Sequence, residues 1–326
     1  MGEAVHVRSY RDEDLPAVLD LLRASLGESP LLQRTPELFR WKHIDNPFGP
    51  SVMLVAEVDK TVVGLRAFMR WELDCGGDTI QCGRAVDTAT HPDYLRRGIF
   101  RLLTMEALDV ARDVGLQLIF NTPNERSRPG YLKMGWSDVG PIRVLVRPHP
   151  TRLLRGRHES FPSLDELVPM AIPFESDSRL GAEIAGWGPA DESNQGGLRT
   201  PRSTSYLRWR FAGHPTARYG AVLSSSGAAV LRANLRKGRS ELVISDALGP
   251  NPTEAVRSAV RISKADYDVA AFPRGSPGRR AARGAGMFTI PGVTALRLVA
   301  RPIDTLEIDV LNPKSWRLAL SDVELL

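Results

Sequence analysis

Cysteine is nearly absent: Cys75 and Cys82 are the only two in 326 residues. So small a number excludes a disulfide-stapled scaffold. The pair flanks GGDTIQ, which predicts two reduced thiols facing each other across a hairpin. No Cys/His spacing suits zinc, so no metal is expected. No apolar run reaches the roughly 18 residues a membrane span needs. The start, MGEAVHVRSYRDEDL, lacks the basic stretch and apolar core of a signal peptide. These absences predict a cytoplasmic protein with no membrane partner. Lysine is scarce too: Lys42, Lys60, Lys133, Lys237, Lys264 and Lys314 leave 37 of the 43 basic residues as arginine. Net charge is +5, which suits an acidic small ligand. The densest basic stretch, RPHPTRLLRGRH (147–158), reads as a solvated linker. No basic face is interleaved with aromatics, so no nucleic-acid partner is expected.

What is present is a regular alternation. VHVRSY (5–10) alternates as a strand, and Leu15, Val18, Leu19, Leu22 and Leu26 share one face of a helix that Gly27 ends. Residues 51–73 read as two strands with a tight turn at 58–60, and 80–92 as another strand. A helix is predicted over 97–114, a strand over 116–121, a short helix over 127–136 and a strand over 141–148. A second series follows: strand 241–248, helix 252–263, strand 268–273, short helix 278–286 and strand 295–303.

The two series share words. LFRWKHIDNP (38–47) is echoed by YLRWRFAGHP (206–215), and RTP stands upstream of both. This predicts an internal duplication: an α+β chain of two domains, 1–148 and 163–326, joined by a linker at 149–162. Each domain is expected to be a mixed, mostly antiparallel sheet flanked by helices.

The stretch HPDYLRRGIFRLL (91–103) sets Arg96, Arg97 and Gly98 at the mouth of a helix. Free N–H groups and about half a positive charge of helix dipole collect there. A glycine lets the backbone approach an oxygen closely. A phosphate or pyrophosphate is the natural occupant. Forty residues on, NERSRPGYLKMGW places Asn124, Ser127, Tyr131, Gly135 and Trp136 at fixed spacing.

Together these two motifs resemble the GNAT superfamily of N-acetyltransferases, over residues 5 to about 146. The resemblance implies acetyl-coenzyme A as co-substrate, with Thr88, Ala89, Thr90, Arg96, Arg97, Gly98, Ile99, Phe100, Asn124 and Ser127 as its binding residues. The family signature there is [Q/R]-x-x-G-x-[G/A]; Leu95 and Phe100 depart from it. Tyr131 matches the tyrosine that in many members protonates the departing thiolate. A phenol, with an ordinary pKa of about 10, keeps its proton at neutral pH and can donate it. Asp87, on the strand beside the pantetheine arm, is the candidate base, with Glu125 and His43 as rivals. His43 is also the candidate for acceptor specificity.

Aligning Gly135 with Gly286 places Ala282 where the first series has Tyr131, and Pro252 at the start of the second series' helix. The second domain is therefore expected to be a degenerate copy that shapes the acceptor pocket. The expected activity is acetyl transfer to a primary amine of a small molecule by direct attack. A protein amine and a non-catalytic acyl-coenzyme A sensor are the alternatives. Self-association is compatible with either.

Overall fold

A computed structural model describes residues 4–154, 156–174, 196–290 and 295–324. Residues 175–195, inside the span assigned to the second domain, lie outside the described residues. The chain is α+β, with two mixed, mostly antiparallel sheets flanked by helices. It forms two compact units: residues 1–140 with 297–313, and 141–296 with 314–326.

The sheet of the first unit has seven strands in the order β1-β2-β3-β4-β5-β13-β6. They are β1 His6–Ser9, β2 Val52–Val58, β3 Thr61–Cys75, β4 Asp78–Thr90, β5 Leu118–Asn121, β6 Ser137–Arg143 and β13 Ala295–Pro302. β2 and β3 join through Asp59 and Lys60, both at positive φ, 47° and 65°. Two such residues give the turn whose twist matches a tight hairpin. β3 and β4 form the long central hairpin. Its register pairs Cys75 with Asp78 and Trp71 with Cys82, so the two thiols do not face each other as the sequence suggested. Both are free.

Helices α1 (Leu15–Leu26) and α2 (Pro36–His43) pack on one face. Val18, Leu19, Leu22 and Phe39 meet Val55, Leu65 and Ala67 there. Helices α3 (Ile99–Asp113) and α4 (Arg128–Lys133) cover the other. The buried stripe Ile99, Leu103, Ala107 and Ala111 of α3 follows helical spacing and lies on Val52, Leu54, Ala56 and Phe68. Gly64 makes this approach possible: a Cβ there would meet Ile99 Cγ2 at 2.8 Å and Leu103 Cδ1 at 2.9 Å.

The second unit has a six-stranded sheet, β7-β12-β11-β10-β9-β8. Its strands are β7 Leu145–Pro148, β8 Ile172–Pro173, β9 Tyr219–Ser224, β10 Gly227–Arg236, β11 Arg239–Leu248 and β12 Tyr267–Ala270. Helices Thr253–Ile262 and Pro277–Gly284 flank it. Val256, Ala259, Val260, Ala281 and Ala282 close its core against Leu231, Leu242 and Ile244.

The expected break at 149–162 differs from the observed division. The single strand expected over 141–148 is two strands in different sheets: β6 stays in the first, and β7 pairs with β12 of the second. β13, expected to finish the second domain, pairs with β5 through Val299–Asn121, Ala300–Phe120, Arg301–Ile119 and Pro302–Leu118. Each sheet thus borrows a strand from the other half of the chain. Alternation along a segment marks a strand but not its partner.

Candidate active site

β4 is held differently along its two halves. Toward β5 it pairs in parallel only at Cys82–Leu118, Gly83–Ile119 and Arg84–Phe120. β5 then ends at Asn121, while β4 runs on to Thr90. From Ala85 onward β4 therefore has a backbone edge that β5 does not cover. On its other side β4 stays paired with β3, but the register slips between Leu65–Ala89 and Ala67–Val86. Asp87 and Thr88 together oppose the single residue Arg66. This is a β-bulge, and Asp87 takes φ 43° in it. The bulge sends the two side chains to opposite faces: Asp87 to the α2 side, Thr88 to the Tyr131 side.

α3 begins beyond the open edge. Gly98 is its N-cap at φ 79°, ψ 0°, a left-handed conformation that favours glycine. A Cβ there would meet nothing within 4 Å, so the space over the turn is open. The first intrahelical bond runs from Leu102 N–H to Gly98 C=O, 3.0 Å. The N–H groups of Ile99, Phe100 and Arg101 are left outside the helix ladder. Arg96 and Arg97 are exposed beside them. Arg97 lies over the Tyr94 ring, 4.6 Å from its centroid.

α4 starts from an Asn124 turn. Asn124 Oδ1 accepts from the Ser127 N–H at 2.9 Å, the Ser127 hydroxyl at 3.0 Å and the Arg126 N–H at 3.1 Å. Asn124 and Ser127 therefore fix the entry to α4 and hence the place of Tyr131. Tyr131 is buried, edge-on to Phe100 at 5.7 Å and to Trp136 at 5.2 Å. Its hydroxyl accepts from Arg66 Nη1 at 2.8 Å. The same Nη1 donates to Thr88 Oγ1 at 2.6 Å. Arg66 is wholly buried, and its Nε and Nη2 have no hydrogen-bond partner.

Asp87 stands in a different cluster. Its carboxylate accepts from Arg34 Nη1 at 2.9 Å, Lys42 Nζ at 2.8 Å and His43 Nε2 at 3.1 Å. Burial pushes its pKa up, but Lys42, His43 and Arg34 outweigh burial and hold it well below the usual carboxylate range. A carboxylate so held has little affinity for a further proton. The geometry therefore gives Asp87 the part of an anchor for α2 and the 34–43 segment rather than that of a base. His43 is fully buried at the end of α2, with Nδ1 2.9 Å from Ser51 Oγ. Burial lowers its pKa, and Asp87 only partly offsets this. The expected contact of His43 with an acceptor is not what the structure shows, since its polar atoms are taken by Asp87 and Ser51. Glu125 is exposed.

The structure thus gathers Thr88, the open edge of β4, Gly98, Phe100 and Tyr131 on one side of the sheet. It places Asp87 and His43 on the other. Arg66 was missed by sequence reasoning. An arginine inside the apolar run VVGLRAFM (62–69) was the available signal.

The second unit repeats part of this plan. β11 pairs in parallel with β12 up to Ile244–Ala270 and then continues to Leu248. Ser245 is the extra residue between Val230–Asp246 and Leu231–Ile244. A small cleft of about 60 Å³ lies there, lined in part by Arg202, Asp246, Pro252, Phe272, Ser276 and Arg317. Its central charge is matched internally: Arg202 binds Asp246 at 2.8 Å and Asp322 at 2.7 Å. Pro252 stands at the mouth of the helix Thr253–Ile262, and Ala282 is buried in the core. Neither the basic turn nor the tyrosine is reproduced.

The fold over most of the chain is that of several solved acyltransferase-like structures. An Enterococcus faecalis V583 protein described as a probable N-acyltransferase shares 12% identity, with 92% of this chain and 73% of that one aligned at TM-score 0.64. A GCN5-related N-acetyltransferase from Kribbella flavida shares 16% over 93% and 72%, TM-score 0.61. Eis1 from Mycobacterium abscessus shares 13% over 92% and 74%, TM-score 0.57. No curated protein matches the sequence. Residues 6–139 match the acetyltransferase (GNAT) domain family. That match lies within the first unit, and the enzyme class it supports is an acyltransferase. Domains of this family use acetyl-coenzyme A as co-substrate. No helix of the described residues is long and apolar enough to cross a membrane.

Proposed function

We propose that the first unit transfers an acetyl group from acetyl-coenzyme A to a primary amine of a small molecule, by direct attack and with Tyr131 as general acid. The carrying observation is the open edge of β4 from Ala85 to Thr90, ending beside both Tyr131 and the mouth of α3. Unpaired strand edges suit the amides of a pantetheine arm, and a helix mouth with Gly98, Arg96 and Arg97 suits a pyrophosphate. The charge of Arg96 and Arg97 suits the co-substrate's phosphates.

In this reading the amine nitrogen attacks the thioester carbonyl carbon. The carbonyl oxygen is polarised by a backbone N–H of β4. The carbon–sulfur bond breaks, its electron pair goes to sulfur, and the Tyr131 Oη proton follows. The amine's surplus proton leaves to solvent, because the Asp87 carboxylate is committed to two cations and the His43 N–H. Holding amine and thioester together supplies most of the acceleration.

The second unit is, in this reading, a degenerate copy kept for architecture. The shared plan of bulged strand, departing parallel strand and following helix supports duplication. The absence of a tyrosine at Ala282 supports its inactivity.

A second reading is a non-catalytic acyl-coenzyme A sensor. Phe100, where the family has Gly or Ala, favours it, because its ring packs edge-on over Tyr131. Release of coenzyme A from acetyl-coenzyme A against a panel of amino sugars, polyamines and peptides decides between them. Turnover with a small amine supports the first reading. Binding without turnover across the panel supports the sensor.

A further inference from the structure

Arg66 lies in the middle of β3 with none of its surface exposed. A guanidinium keeps its proton at any working pH, so a full positive charge is held inside the first unit. Its Cζ is 4.6 Å from the Phe68 ring centroid, 5.1 Å from that of Tyr131 and 5.7 Å from that of Phe100. These faces offset part of its desolvation. Nη1 is used by Tyr131 and Thr88, while Nε and Nη2 donate to nothing. Among the described residues no carboxylate pairs with it. The nearest in sequence to its partner Thr88 is Asp87, which is engaged by Arg34, Lys42 and His43. β4 presents Thr88 to the guanidinium, α3 presents Phe100, α4 presents Tyr131, and β3 itself adds Phe68. Tyr131 is the one titratable group among them. A buried charge with unmet donors and no counter-ion is costly to fold around. An anion arriving at Tyr131 Oη would relieve that cost.

We propose that Arg66 is a positioning residue that serves as the counter-charge for the sulfur leaving the acyl donor, acting through Tyr131. The first unit then holds the product, coenzyme A, with one proton fewer than the free thiol carries. The inference rests on the acyl-coenzyme A site proposed above. When the carbon–sulfur bond breaks, one negative charge appears. Tyr131 Oη–H stands between the sulfur and Arg66 Nη1. Whether the proton rests on oxygen or on sulfur, the single charge is spread over that pair and faces the guanidinium. An opposite charge within ~4–6 Å favours the ionised form by about 1–3 pH units. An ordinary thiol, half ionised near pH ~8.5, is then mostly ionised at pH ~8 when bound. Desulfo-coenzyme A, which lacks the sulfur, has no such proton to lose.

The test is calorimetry of the full chain with coenzyme A and with desulfo-coenzyme A, each in two buffers of different ionisation enthalpy. The heat difference between buffers counts protons released on binding. The expected result at pH ~8 is about 0.5–0.75 proton released with coenzyme A, from the 1–3 unit shift of a thiol already about a quarter ionised when free, and none with the desulfo analogue. This comparison needs no variant. Arg66→Met should abolish the release and weaken coenzyme A at least about tenfold relative to the desulfo analogue, the equivalent of one such unit. Arg66→Lys should restore part of both. Equal proton counts for the two ligands in the unaltered protein overturn the proposal, as does an Arg66→Met protein that still releases the proton. Failure of both ligands to bind the unaltered protein rejects the acyl-coenzyme A site itself, and this inference with it.

Discussion

Arg66 Nη1 donates to Tyr131 Oη at 2.8 Å, joining β3 to α4 across 65 residues of sequence in a wholly buried contact. A phenol oxygen that accepts a charged donor has its own proton free to point elsewhere. In the function proposed above, that direction is toward the leaving sulfur.

Tyr131→Phe keeps the ring packing against Phe100 and Trp136 and removes only the hydroxyl. Turnover should fall roughly 100- to 10,000-fold, the usual contribution of acid–base catalysis. Acetyl-coenzyme A affinity should change little, because its thioester sulfur carries no charge. Losing an acceptor for a buried guanidinium should also cost about 1–3 kcal/mol of stability. Steady-state turnover, calorimetry and denaturant unfolding on one preparation separate the three effects. Turnover near that of the unaltered protein, with chemistry rate-limiting, would remove Tyr131 from the mechanism.

Asp87→Asn tests the anchor reading. Arg34 and Lys42 are both buried, and losing their shared carboxylate leaves two charges without compensation. The expected loss is about 3–5 kcal/mol in urea unfolding. Near-normal stability with abolished turnover would instead return Asp87 to the role of base.

Acid should weaken the first unit in two stages. His43 is buried with a lowered pKa, so below its unfolded value of about 6.5 the unfolded chain takes up a proton that the folded chain refuses. Its contribution is whole above that pH and is lost as pH falls below it. Asp87, also lowered, adds stability that is whole above about pH 3.9 and is lost as pH falls further. Unfolding midpoints measured from pH 8 to pH 4 should therefore decline first below about pH 6.5. His43→Gln should flatten that first decline. An unchanged slope in this variant would assign the effect to other groups.

Gly98 and its arginines should act on the coenzyme's phosphates. Gly98→Val forces a β-branched residue to φ 79° and closes the open space above the turn. Paired charge reversal at Arg96 and Arg97 removes charge but leaves that backbone intact. Both should weaken coenzyme A, Gly98→Val more, and neither should alter binding of phosphate-free pantetheine. Calorimetry with the two ligands checks this. Equal losses for both ligands would place the effect in general folding.

The fragment 1–148 should not form a stable first unit. β13 lies between β5 and β6 in that sheet, so truncation removes an interior strand and bares the edge of β5. A soluble, cooperatively folded 1–148 fragment would contradict this. Adding residues 295–313 as a separate peptide should restore structure.

Much of the first unit was legible in the chain. Spacing in 97–114 gave α3, the β-alternation gave the hairpin, and the glycine among arginines gave the helix mouth. The positions of Asn124, Ser127 and Tyr131 are local, and the sequence carries them. What stayed hidden depends on contacts distant in sequence. β13 alternates like any edge or interior strand, and nothing local says that it joins β5 rather than β12. Asp87 lies on the expected strand, but a bulge of one residue turns it to the face opposite Tyr131. Arg66 stands out within an apolar run, but only the fold brings it to Tyr131, 65 residues on.

The most direct measurement is a crystal structure of the full chain with acetyl-coenzyme A. The account predicts the pyrophosphate on the backbone N–H groups of Ile99, Phe100 and Arg101 above Gly98, the pantetheine along β4 from Ala85 to Thr90, and the sulfur within hydrogen-bond reach of Tyr131 Oη. A coenzyme seated instead in the second unit's cleft near Arg202 and Ser276, or one whose sulfur lies away from Tyr131, would contradict it.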